Sequence, residues 1–114
     1  MISPSDRSNS VHYTWGNNCD SWVLMESDSL SVKQESMPPA SREKLHFHQQ
    51  SQQYFFILNG EAAFYVTDEQ IIVKEKQGLL IQPGMQHYIA NETNQRLDFL
   101  VISQPSTKTD RVEL

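Results

Sequence analysis

Short runs of alternating, branched and aromatic residues follow one another from about residue 20 to about residue 104. They read SWVLMES, LSVKQES, KLHFH, QYFFILNG, EAAFYVTD, QIIVKEK, GLLIQPG, QHYIAN and RLDFLVIS, with turn residues between them. About nine strands at a spacing of roughly 8–12 residues, with almost no helical periodicity, predict an all-β antiparallel sandwich or barrel. We expect one domain, with residues 1–11 and 105–114 as polar tails.

The run YFFILNG is apolar at consecutive positions, so its strand has two apolar faces. One face can line the barrel, and the other needs cover from a second sheet or a second subunit. We therefore predict a homodimer.

Composition and charge narrow the class of protein. The chain has 114 residues, of which 38% are hydrophobic and 20% charged, and its formal net charge is -5. Nucleic-acid binders usually carry a basic face, and a membrane helix needs about 18 apolar residues in a row, so we expect neither partner. The N-terminus lacks the apolar core of a secretory signal, and the single Cys19 cannot form an internal disulfide. Both features predict a cytoplasmic protein.

Two histidines that lie two positions apart are candidate metal ligands. His46 and His48 in HFH project from the same face of a strand, because side chains alternate with a period of two. His87 follows a Pro-Gly turn much later in the chain, and Gln53 opens the strand after HFH. Neutral imidazole binds iron, nickel, copper, zinc and manganese. His12 lies in the polar N-terminal segment, where we expect a solvated side chain.

Together these residues resemble the two motifs of the cupin superfamily of small metal-centred β-barrels. The first motif is His-x-His, three or four residues, Glu, six residues and Gly, and it is matched here by His46, His48, Gln53 and Gly60. The second motif ends in Gly, two residues, His, three residues and Asn, and it is matched by Gly84, His87 and Asn91. The resemblance implies a double-stranded β-helix, or jelly roll, with a divalent transition metal on His46, His48, Gln53 and His87.

The sequence departs from the motifs at Ala40 and Gln82, which stand where glycine and proline are usual, and at Gln53, which replaces the glutamate. Glutamine is neutral and a weaker donor than a carboxylate. The +2 charge of the ion would then stay uncompensated inside the barrel, which favours an anionic or oxygen-chelating ligand. We expect metal binding weaker than with glutamate.

Three functions are open at this point. The first is a metal-dependent enzyme, for which the resemblance implies dioxygenase chemistry. The second is a non-catalytic small-molecule binding or sensing module, and the third is an empty barrel whose histidines are hydrogen-bonded core residues. The sugar-phosphate isomerase-like label of similar small cupins is a further alternative, although an isomerase needs a carboxylate base that position 53 lacks.

Other residues have simpler expected roles. Aromatic residues that can either line a pocket or form the core are Phe55, Tyr65, Tyr88 and Phe99. Charged residues of the closing segment that we expect on the surface are Lys108, Asp110, Arg111 and Glu113. Arg42 and Glu43 precede the HFH strand near the expected barrel mouth, where either could contact an anionic ligand, although we favour a surface role for both.

Overall fold

The computed structural model describes residues 2–114, and strands make up most of them. A short 3-10 helix covers Arg7–Asn9. The strands are β1 (Val11–Trp15), β2 (Cys19–Glu26), β3 (Ser31–Met37), β4 (Ser41–Arg42), β5 (His46–His48), β6 (Gln52–Asn59), β7 (Glu61–Val66), β8 (Glu69–Lys74), β9 (Gly78–Ile81), β10 (His87–Asn91), β11 (Leu97–Gln104) and β12 (Arg111–Glu113).

The strands form two antiparallel sheets. The order in the first sheet is β1-β2-β3-β11-β6-β9, and in the second it is β12-β5-β10-β7-β8, with β4 beside β10. Consecutive strands often lie in different sheets, which is the connectivity of a jelly roll. The predicted all-β, double-stranded β-helix fold is therefore confirmed. Within residues 2–114, no helix is long and apolar enough to span a membrane.

The core lies between the inner faces of the two sheets. Strand β11 shows the period-two rule, because Leu97, Phe99 and Val101 are buried while the residues between them are partly exposed. Phe64 on β7 is fully buried against Phe55 on β6, with ring centroids 5.0 Å apart. Burying a side chain of this size stabilises the fold by about 1.5–3 kcal/mol.

The motif glycine Gly60 is required by the turn between β6 and β7. Its φ is 90°, a backbone conformation that L residues rarely adopt, and an added Cβ would lie 2.7 Å from the carbonyl oxygen of Arg96. Any larger residue would meet both backbone strain and a steric clash.

The closing segment, which the sequence assigns to a surface tail, runs along the edge of the second sheet instead. Strand β12 pairs with β5, and its register places Arg111 opposite His48 and Glu113 opposite His46. Directly paired residues of two strands share one face of the sheet. The C-terminal residues therefore lie beside the histidines. The homodimer predicted from the two apolar faces of the YFFILNG strand stays a prediction.

Candidate metal centre

The structure brings the three predicted histidines together. His46 and His48 lie on β5, and His87 on β10 is the direct register partner of His46. One ring nitrogen from each residue lies within 4.8 Å of the others. The three side chains are buried, with 2%, 4% and 1% of their surface exposed, respectively.

Each imidazole is held by a hydrogen bond from its Nδ1 to a backbone carbonyl. The distances are 2.8 Å from His46 to Lys44, 3.2 Å from His48 to Asp110 and 2.8 Å from His87 to Met85. A carbonyl oxygen only accepts, so the proton lies on Nδ1 and the lone pair on Nε2. Metal-binding histidines are usually fixed in this way.

Burial keeps these imidazoles neutral. Desolvation lowers the pKa of His46 to about 3 and the pKa of His87 to about 4. Burial also lowers the pKa of His48. Neutral imidazole is the form that binds a metal ion.

Two of the inward nitrogens have no partner. Within residues 2–114, the Nε2 atoms of His48 and His87 are buried without a hydrogen bond. Leaving a buried acceptor unpaired costs about 1–3 kcal/mol, which a bound cation would offset. The cluster fits one transition-metal ion by donor type, protonation and spacing, and it does not fit a set of fully hydrogen-bonded core residues.

Gln53 lies on β6, across the barrel from β5. Its side-chain nitrogen donates to Oγ of Ser103 at 3.1 Å, and its Oε1 is buried without a partner. The pKa of His48, lowered mainly by burial, is raised slightly by the Gln53 side chain, which places the two groups close together. An unpaired amide oxygen therefore faces the same region as the unpaired imidazole nitrogens.

A cavity of about 1260 Å³ is lined in part by His46, His48 and Gln53. Typical small-molecule sites occupy about 300–1,000 Å³, so the space admits a small ligand with room to spare. Of the four aromatic candidates, Phe55 and Tyr88 line the cavity. Phe99 is a fully buried core residue, and Tyr65 stacks on Tyr88 with 4.7 Å between ring centroids.

The expectation that Glu43 lies on the surface is wrong. Its side chain is 12% exposed, and its Oε1 accepts the backbone N–H of Ile89 at 3.1 Å. Burial raises the pKa of Glu43 to about 8, against the opposing effect of the Arg111 charge. Glu35, on the inner face of β3, also lines the cavity, and burial raises its pKa as well. Period-two alternation with Met37 could have placed Glu35 inside.

Asp110 was also assigned to the solvated tail, and the structure gives it a different position. Its carboxylate accepts the backbone N–H groups of Gln49, Gln50 and Ser51 at 2.9, 3.0 and 2.8 Å. Its carbonyl oxygen is the acceptor for Nδ1 of His48. This residue therefore fixes both the turn after β5 and the orientation of one imidazole.

The comparison with known families agrees with this fold. Residues 33–103 match the Cupin_2 family, described as the cupin domain, and the chain belongs to that family. A relative, the uncharacterized protein MJ1618 of Methanocaldococcus jannaschii, is 29% identical over 84 residues, which is 74% of this chain and 67% of that protein.

Solved structures with the same fold are more distant in sequence. A predicted oxalate decarboxylase from Thermotoga maritima has a TM-score of 0.82 at 20% identity, covering 93% of this chain and 100% of that one. KdgF from a Halomonas species has a TM-score of 0.84 at 8% identity, covering 95% of this chain and 97% of that one. At these identities the likeness concerns the fold alone.

Proposed function

We propose that this cupin is a metal-dependent enzyme that binds a small anionic, oxygen-chelating molecule on a divalent transition metal ion. The ligands are Nε2 of His46, His48 and His87, with Oε1 of Gln53 as a fourth or neighbouring ligand. The observation that supports this proposal is the set of buried acceptor atoms on His48, His87 and Gln53 that have no partner within residues 2–114; His48 and Gln53 also line one cavity.

The donor set defines the kind of ligand. Three imidazoles and an amide are all neutral, so the ion keeps its +2 charge inside the barrel. A buried charge is stable only when it is paired, which favours an anionic chelating oxygen group over a neutral ligand. The name of the Thermotoga maritima neighbour, a predicted oxalate decarboxylase, refers to a substrate of this kind.

The activity that we assign is dioxygenation. When bound, iron, nickel, copper or manganese supplies a site at which a chelated substrate meets oxygen, whereas zinc would supply Lewis acidity alone. The chain contributes rigid neutral imidazoles, each oriented by a backbone carbonyl. Phe55 adds an apolar wall beside the cluster, which limits access of water to the reacting group.

Metal content measured by mass spectrometry on tag-free protein tests the first part of the proposal. We expect close to one ion per chain in the wild type and a loss of the ion in His48→Ala. His12→Ala is the matched control, because His12 is an exposed residue of β1 that bonds to Asp20 at 2.8 Å. Absence of metal from the wild type, even after reconstitution with each of the five ions, would refute the proposal.

The metal found then selects the activity assay. With iron, copper, nickel or manganese we expect oxygen consumption with a chelating substrate such as a diketone. Stabilisation by such a ligand without turnover would instead assign the chain to binding or sensing.

A further inference from the structure

Arg111 lies on the cavity wall that also carries His46 and His48. Arg111 on β12 is the register partner of His48, so its side chain shares the face that carries His46 and His48. The positive charge of Arg111 contributes to the lowered pKa of each of the three histidines, after the larger effect of burial. The guanidinium is therefore close to the position at which a metal-bound ligand would lie.

Part of this guanidinium is available to a ligand. Within residues 2–114, its one hydrogen bond runs from Nε to the carboxylate of Glu113 at 3.1 Å. The nearest other carboxylate oxygen, on Glu43, lies 3.8 Å from Nη1, which is too far for a hydrogen bond. Burial raises the pKa of Glu43 to about 8, so this carboxyl is mainly protonated at neutral pH. Within the described residues, Glu113 is therefore the charged partner of Arg111, and the Nη groups keep donors for a ligand.

We propose, as an extension that rests on the function above, that the metal-bound ligand carries a second carboxylate and that Arg111 binds it. The ligand class is a small 2-oxo or 2-hydroxy dicarboxylate. Its 2-oxygen and first carboxylate chelate the ion, and its second carboxylate takes the two free Nη groups of the guanidinium.

Geometry limits the length of this ligand. Paired residues on neighbouring antiparallel strands have Cα atoms about 4.5–5.5 Å apart, so Arg111 and His48 start from adjacent points on the wall. A ligand that joins these adjacent points is short, so we test acids with about four or five carbons.

The surroundings favour a carboxylate over a phosphate. One guanidinium matches one carboxylate through two parallel hydrogen bonds. Three glutamates surround this position, since Glu43 and Glu113 face Arg111 directly and the pKa of Glu35, raised mainly by burial, is lowered in part by the Arg111 charge. A phosphate with close to two negative charges would be repelled by the Glu113 carboxylate more strongly than a carboxylate with one.

Calorimetry on zinc-loaded protein tests the inference with matched acids, because zinc has no redox chemistry to consume them. The pairs are 2-oxoglutarate with 2-oxopentanoate, and malate with 2-hydroxybutanoate. Each pair shares its chelating end, and only the first member has a second carboxylate. A fifth probe, 3-phosphoglycerate, carries a phosphate in place of that carboxylate.

In the wild type we expect at least one dicarboxylate to bind about 10- to 100-fold more tightly than its partner acid. Arg111→Gln should remove this difference and leave both the zinc content and the affinity for the monocarboxylate unchanged. Arg111→Lys should keep part of the difference, because the charge remains without the planar fork. Arg96→Gln is the control, since Arg96 is bound to Ser36 at the other end of the barrel, outside the cavity.

Other outcomes separate the two proposals. If zinc-loaded wild type binds each dicarboxylate and its partner equally, the role of Arg111 is refuted and the metal site stands. If zinc does not bind, the same titrations are made with the ion that the protein holds, without oxygen; if none of the five ions binds, both proposals fail. Tighter binding of 3-phosphoglycerate than of either dicarboxylate would overturn the carboxylate class, and zinc loss in both Arg111 variants would show a structural role only.

Discussion

Replacing Gln53 by glutamate restores the charged residue of the cupin motif and tests whether position 53 faces the metal. Gln53 is 8% exposed, with its amide nitrogen on Ser103 and its oxygen unpaired. The introduced carboxylate has almost the same shape, and Ser103 can turn its hydroxyl to donate to it. The change therefore adds charge with little change in packing.

The expected effect on metal affinity follows from two opposing terms. A carboxylate about 4 Å from a +2 ion, at an effective dielectric constant of about 20, is attracted by about 8 kcal/mol. Removing that carboxylate from water costs several kcal/mol. A net gain of about 3 kcal/mol corresponds to about 100-fold tighter metal binding. In the metal-free protein the same change should cost about 1–3 kcal/mol of stability, because the new group is buried without a cation.

Competition with a chelator gives the metal affinity, and urea unfolding with and without metal gives the stability. Gln52→Glu is the matched control, because Gln52 is the adjacent residue of β6 and bonds to Gln104 at 2.9 Å on an exposed part of the sheet. We expect it to change neither quantity by more than about 0.5 kcal/mol. Equal metal affinity of Gln53→Glu and wild type, together with metal loss in His48→Ala, would refute a position for Gln53 at the ion.

Two further predictions concern the histidines and the residue that orients one of them. In metal-free protein, nitrogen NMR should show His46 and His87 neutral at pH 5, because burial lowers their pKa values from 6.5 to about 3 and about 4. As the pH falls, the histidines of the unfolded chain take up protons before those of the folded protein. Each group therefore lowers the free energy of unfolding by about 1.4 kcal/mol per pH unit between pH 6.5 and its folded pKa. Titration of either histidine near pH 6.5 in the folded protein would contradict the buried geometry. Asp110→Ala should lower metal affinity by about 10-fold, because the backbone carbonyl that holds His48 becomes free to move. It should also lower the unfolding temperature, because three hydrogen bonds to the turn after β5 are lost. Unchanged metal affinity in chelator competition would contradict this role.

Local periodicity was enough to predict the strands and the core of the site. His46 and His48 share a face because they are two apart in a strand, and this rule needs no knowledge of the rest of the fold. Gln53 follows the same rule within β6, where Gln53, Phe55 and Ile57 are buried and alternate with more exposed residues. The position of His87 beside them came from motif spacing, and the register of β10 with β5 accounts for it.

The charged wall of the cavity could not be predicted in the same way. Strand β12 has three residues and pairs with a strand more than sixty positions earlier, so no local pattern reports the contact. Arg111 and Asp110 looked like tail residues because charged side chains near a terminus are usually solvated. Glu43 lies between two short strands, where alternation is interrupted and the buried side cannot be read from the sequence.

The buried carboxyls change the argument about chemistry that Gln53 alone suggested. Because position 53 has no carboxylate, the sequence argued against proton transfer at the site. In the structure, however, Glu43 places a carboxyl in the same cavity. Its pKa of about 8 allows it to donate or accept a proton near neutral pH. The charges around the metal position then indicate the class of ligand. A +2 ion on neutral ligands keeps its charge inside the barrel, and Arg111 lies beside it, paired with Glu113 through Nε. The proposed chelating dicarboxylate would place one carboxylate on the ion and the second at the Nη groups of Arg111, which the ion pair with Glu113 leaves available.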